Sequence, residues 1–185
     1  MYKSMCNYSI FNREYLTIRV QTIMKDHLYM SQTKFYRPNV AAVIVSSDYP
    51  LVKEVFIAER SDLDGVWQFP QGGIDEGESS EEALFRELKE EIGTKKVEVI
   101  AEYPDWIAYD FPPHVAAKMA PFAGQKQRYY LVKLKKGAVI DLDTEHPEFK
   151  RYRFVGIDEL LSHTAHFKKP VYEQVISHFR AKGYL

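Results

Sequence analysis

The stretch GGIDEGESSEEALFRELKEEIG, residues 72 to 93, constrains the fold more than any other part of the chain. Its second half has a helical period. At about 100° per residue, Leu84, Leu88 and Ile92 form one stripe with Phe85 at its edge, which predicts a helix laid on a core. Ser79 or Ser80 can cap its start, glutamates in the first turn complement the dipole, and Gly93 closes it. Glu87, Glu90 and Glu91 fall together on a neighbouring face, and Arg86 lies one turn before Glu90. Like charges one turn apart repel, so the helix gains nothing by itself from this crowding. Two readings stand open on these residues alone. One is a solvated face laced with salt bridges. The other is a set of carboxylates for a hard divalent cation, which favours oxygen ligands, waters and substrate phosphates.

Around this helix the apolar pattern predicts strands. Pro38 is excluded from a central strand, so YRPNVAAVIVSS predicts a buried strand from Asn39 or Val40 to Ser46. EVFIAER and GVWQFP predict two more, the latter stopped by Pro70, and VEVIAEYP, DWIAYDFP, QRYYLVKLK and YRFVGI four others. Two helices close the chain, near 157–162 and about 169–182. Strands interspersed with helices without strict alternation point to an α/β domain with a mixed sheet covered by helices. With 185 residues there is room for one full core rather than two.

The net charge of −1 gives no bulk basic character, so contact with a polyanion has to come from a local patch or a bound cation. Cys6 is the only cysteine, which excludes an internal disulfide framework and fits a reducing compartment. No apolar run approaches the roughly 18 residues of a membrane span, and the N-terminus lacks a secretory pattern. A cytoplasmic protein without a membrane partner is expected. Residues 1–34 show no sustained period and are expected to form a weakly ordered extension ahead of a working domain at 35–185.

The spacing within residues 72–93 carries a resemblance. Gly72, five residues, Glu78, seven residues, then Arg86-Glu87-Leu88-Lys89-Glu90-Glu91-Ile92-Gly93 resembles the Nudix box. Only Thr94 departs from it, standing where an aliphatic residue is usual at the helix end. The resemblance implies the Nudix fold, an α/β/α sandwich with a mixed β-sheet between helices, and hydrolysis of a nucleoside diphosphate linked to another group. By it, Glu87, Glu90 and Glu91 are metal ligands, one of them doubling as general base, and Arg86 orients a ligand glutamate. Glu78 partners the loop, while Gly72 and Gly73 let the backbone approach the metal. The implied cofactor is a divalent metal, Mg²⁺ first, with Mn²⁺ or Zn²⁺ as alternatives.

Further segments narrow the resemblance: YRPNV at 36–40, WQFPQGGI at 67–74, GQKQ at 124–127, PEF at 147–149 and FKKPVY at 167–172. Together they are similar to the bacterial RNA 5′-pyrophosphohydrolase branch, which includes dinucleoside polyphosphate hydrolases. By that similarity Glu148 is a metal ligand from outside the box. Arg37 and Phe167 sandwich the first base, Arg60 reaches the terminal phosphates, and Tyr109 and Lys168 contact RNA. The implied activity removes pyrophosphate from the 5′-triphosphate end of RNA, in mRNA decay. The alternative is hydrolysis of dinucleoside polyphosphates such as diadenosine tetraphosphate. A catalytically silent module binding nucleotide or RNA is a third reading, against which the three box glutamates stand.

Overall fold

The computed structural model describes residues 34–164 and 167–185. The expected extension at 1–34 therefore lies, but for Lys34, outside the described residues. Eight strands form one mixed sheet: β1 (Phe35–Val45), β2 (Val55–Arg60), β3 (Trp67–Gln68), β4 (Gln71–Gly73), β5 (Val97–Glu102), β6 (Ile107–Asp110), β7 (Phe122–Leu134) and β8 (Phe149–Val155). The order is β3-β2-β1-β7-β5, with β4 on β1, β6 on β7 and β8 on β2. Four helices are described: α1 (Ser80–Ile92), α2 (Pro113–Ala116), α3 (Ile157–His163) and α4 (Lys169–Ala181).

The alternation of β1 explains the sandwich. Val40, Ala42 and Ile44 pack with Ala83, Leu84, Leu88 and Ile92 of α1, together with Phe56 and Ala58. Ala41, Val43 and Val45 point the other way, into a core with Ile57, Phe69, Leu131 and the buried stripe of α4, Val171, Tyr172, Val175, Ile176 and Phe179. Side chains on a strand alternate between faces, so a strand covered on both sides reads as one continuous apolar run, as AAVIV does.

Two departures from the sequence expectations have physical causes. β1 begins at Phe35 and includes Pro38. Proline is tolerated there because it sits at the frayed end of the pairing: its carbonyl still accepts the Ile74 N–H at 3.2 Å just past the end of β4 at Gly73, and only the last reciprocal bond is forgone. β4 itself, Gln-Gly-Gly, carries no apolar alternation to betray a strand, yet it pairs antiparallel with β1, Asn39 opposite Gly73 and Val40 opposite Gly72. That short pairing brings the start of the acidic segment onto the sheet. Thr94 is buried, so the slot of the box that departs from the pattern is an interior one.

Candidate active site

α1 is built as its sequence requires. Ser79 is the N-cap: its Oγ accepts the Glu82 N–H, and the Glu82 carboxylate accepts the Ser79 N–H. Gly93 ends the helix in the left-handed region at φ 73°. Between these stops the apolar stripe faces the sheet and Arg86, Glu87, Glu90 and Glu91 face the loop before the helix.

Glu91 is the deepest of these three glutamates of α1, 2% exposed. Its Oε2 accepts the Gln71 N–H at 2.8 Å, while its Oε1 is buried with no hydrogen-bond partner. Burial pushes its pKa well up, and the charges of Glu148 and Glu87 push the same way. Burial also raises Glu87, against the pull of Arg86. The Glu87 carboxylate lies directly on the β4 backbone: a Cβ on Gly72 would come within 1.8 Å of Glu87 Cδ. Only glycine leaves that space.

Arg86 is the counter-ion. Its Nη1 donates to Glu87 Oε1 at 2.7 Å and to Glu90 Oε2 at 3.2 Å. Its Nε and Nη2 grip Glu78, and Nη2 also donates to the Gly73 carbonyl at 2.7 Å. One guanidinium thus fixes helix, loop and strand together, and holds the Glu78 carboxyl below the usual carboxylate range.

These residues fit a divalent cation. A buried carboxylate oxygen without a partner, a glycine cradle that places a second carboxylate against the backbone, and a third negative charge from Glu148 all favour a bound positive charge. As they stand, no three His, Cys, Asp or Glu among the described residues converge tightly enough to cage an ion. Glu87 and Glu90 both turn their carboxylates to Arg86, at 2.7 and 3.2 Å.

Next to this face lies a cleft of different character. The Arg37 guanidinium packs on Gly73, where a Cβ would meet Nη2 at 2.3 Å. The rings of Phe167 and Tyr109 lie 5.9 Å apart, and the Tyr109 hydroxyl donates to Gln125 Oε1 at 2.6 Å. Lys168 is not a solvated lysine: it is buried, and its Nζ donates to Gln68 Oε1 at 2.8 Å and to Gln71 Oε1 at 3.0 Å. Burial, with the Arg60 charge added, brings its pKa down to about 7, although Glu91 and Glu148 pull the other way. Arg60 stands at the end of β2, where Arg60 pairs with Phe149 and so neighbours Glu148.

Sequence reasoning missed the polar floor that joins these groups. Gln127 Nε2 donates to Asn39 Oδ1 at 2.6 Å and Tyr129 Oη to Gln127 Oε1 at 2.6 Å, while Gln71 Oε1 and Gln125 Oε1 lie at 3.3 and 3.4 Å from the same Gln127 Nε2. The available signal was Gln125 and Gln127 on alternate positions of a strand whose intervening positions carry Lys126 and Arg128, so the whole stretch reads as polar and a solvent-facing register would be the commoner meaning.

A NUDIX domain model matches residues 35–175. An RNA pyrophosphohydrolase of Campylobacter jejuni is 57% identical over 156 residues, covering 84% of this chain and 100% of that protein. An RNA pyrophosphohydrolase of Helicobacter pylori is 59% identical over 152 residues, covering 82% and 98%. Among solved structures, the Escherichia coli dihydroneopterin triphosphate pyrophosphohydrolase superimposes with a TM-score of 0.61 at 21% identity, over 76% of this chain and 97% of that one. A Caenorhabditis elegans Ap4A hydrolase gives 0.60 at 18%, over 79% and 98%. The two structures share the fold with this chain.

Proposed function

The chain belongs to the NUDIX family, and from that membership we propose that it is a metal-dependent pyrophosphohydrolase that converts 5′-triphosphorylated RNA to 5′-monophosphorylated RNA and pyrophosphate. The observation that carries this reading is the adjacency of Gly72 and Gly73. The first backs onto Glu87 and the second onto Arg37. Successive strand residues face opposite sides. This two-residue step therefore lays a carboxylate suited to metal-bound phosphates and a guanidinium suited to stacking on a base against the two sides of one short strand, within reach of the two ends of a 5′ nucleotide. RNA is supported over other nucleotides by the relatives named RNA pyrophosphohydrolase, each matched along nearly its full length.

Glu87, Glu90 and Glu91, with Glu148, would hold the metal, Mg²⁺ being the first choice and Mn²⁺ or Zn²⁺ the alternatives. When bound, it neutralises the phosphates and acidifies a water for attack on phosphorus. Arg86 keeps Glu87 aimed and ties it to the β4 backbone. One of the box carboxylates takes the proton of the attacking water. Arg37 and Phe167 clamp the first base, with Tyr109 and Lys168 lining the same cleft, and Arg60 takes the terminal phosphates. Such an activity serves mRNA decay in the cytoplasm. No described helix is long and apolar enough to cross a membrane.

Turnover of a 5′-triphosphorylated RNA and of diadenosine tetraphosphate, at matched concentrations with Mg²⁺, tests the reading. Faster release of pyrophosphate from RNA is expected. Preference for the dinucleotide would move the assignment to that substrate, and turnover of neither would make this a binding module.

A further inference from the structure

Arg60 does not present an open fork to solvent. Its Nε and Nη2 donate to Oδ1 and Oδ2 of Asp62, each at 2.7 Å. This is the planar, two-pronged geometry in which arginine also binds phosphate, so carboxylate and phosphate compete for the same two N–H groups.

Three features mark Asp62 as the movable half of the pair. Its side chain is 61% exposed against 34% for Arg60, which is anchored at the end of a strand. The loop carrying Asp62 is held without it. Ser61 bonds the Pro147 and Glu148 carbonyls, Gly65 N–H donates to Glu59 Oε1 at 2.6 Å, and Lys150 pairs with Asp64. Lys118, beyond α2, adds a weaker positive field at Asp62, so Arg60 is not the sole cation this carboxylate feels. Arg60 also feels the charges of Glu148 and Glu91, and it lies opposite Phe149, the neighbour of Glu148. The guanidinium is therefore shared between the field of the acidic centre and the Asp62 carboxylate.

We propose that Asp62 is a specificity-determining competitor for Arg60: it occupies the fork in the free enzyme, a substrate's terminal phosphate must displace it, and it recaptures Arg60 once pyrophosphate has left. This rests on the assignment of Arg60 to the terminal phosphates. Asp62 acts through Arg60, and the consequence is on binding rather than on the chemical step. Weakly anionic ends fail to open the fork, and the affinity for strongly anionic ends is tempered so that product is released.

The test is steady-state kinetics on 5′-triphosphorylated RNA for Asp62→Asn, Arg60→Ala and the double variant. Asp62→Asn keeps the shape and removes the charge, so KM should fall about two- to fivefold, the range an exposed ion pair spans, with kcat not raised. Arg60→Ala should raise KM, and Asp62→Asn should have no effect in its background. If Arg60→Ala raises KM and Asp62→Asn raises it too, Asp62 supports Arg60 and the competition is wrong while the phosphate assignment stands. If Asp62→Asn still lowers KM without Arg60, it acts by general charge and the proposal also fails. If Arg60→Ala leaves KM unchanged, the phosphate assignment falls and takes the proposal with it. Urea unfolding midpoints of all three variants, expected at the wild-type value because the loop is anchored elsewhere, separate these outcomes from misfolding.

Discussion

At the scale of single residues the site is a set of charges that the fold compensates only in part, Arg86 answering Glu78, Glu87 and Glu90 but not Glu91. Glu91 is the sharpest case, a buried carboxylate with one oxygen bonded and one not. Glu91→Gln should cut hydrolysis roughly a hundredfold or more, the loss expected for a ligand or base. The same substitution has a readout independent of turnover. The folded pKa of Glu91 is raised above its unfolded value by burial and by Glu148 and Glu87. Its contribution to stability is therefore intact below the unfolded value and lost as pH rises through the folded one. At pH 8 without metal, Glu91→Gln should melt higher than wild type, and the rise in melting temperature on adding Mg²⁺ should shrink. A lower metal-free melting temperature would show that the carboxylate is structurally compensated after all. Phe167→Ala addresses the neighbouring cleft: stacking on a base is worth about 1–3 kcal/mol, so kcat/KM should drop about five- to a hundredfold for RNA and dinucleotide alike. Lys168→Met should also depress both. Its ammonium bonds Gln71, whose N–H holds Glu91, so its loss reaches the acidic face rather than only a downstream chain.

Elements were legible in proportion to how much of their pattern was apolar. The α1 stripe, its Ser79 cap and its Gly93 stop are all found where the periodicity puts them, because that helix has a wet face and a dry face. The short β3 is found inside GVWQFP, as its apolar residues and Pro70 predict, whereas the three-residue β4 carries too few side chains for any period to show. β7 runs upstream through Phe122-Ala-Gly-Gln, where Gln125 and Gln127 turn inward while Lys126 stays exposed. Buried polar residues mimic exposure in a sequence, which is why the glutamine floor escaped notice while the glutamates did not. The β4–α1 junction offers a test at this scale. Gly72→Ala should abolish turnover while leaving most of the stability, since the added methyl collides with a side-chain carboxylate rather than with the core. Ser79→Ala, by contrast, removes a cap and should cost about 1 kcal/mol in chemical denaturation with kcat little changed. Equal effects of the two on stability and rate would mean that the glycine serves the fold, not the site.

For the molecule as a whole, the two cores, the acidic face and the cleft are all assembled from side chains between Arg37 and the C-terminal helix. The box spacing made the family legible, but not which charges would be buried: Lys168 sits on a short polar segment whose orientation depends on strands far away in sequence. The same assembly makes the division at residue 34 testable. The C. jejuni relative is spanned end to end by 156 residues of this chain, and the family match begins at residue 35. A chain starting at Met30 is therefore expected to keep kcat/KM on RNA within about twofold. Its melting temperature should stay within about 2–4 °C, the shift that ~1 kcal/mol produces in a domain of this size. Stability preserved with a tenfold loss of RNA turnover, but not of diadenosine tetraphosphate turnover, would assign residues 1–29 to RNA binding. A loss of both stability and turnover would make them part of the domain.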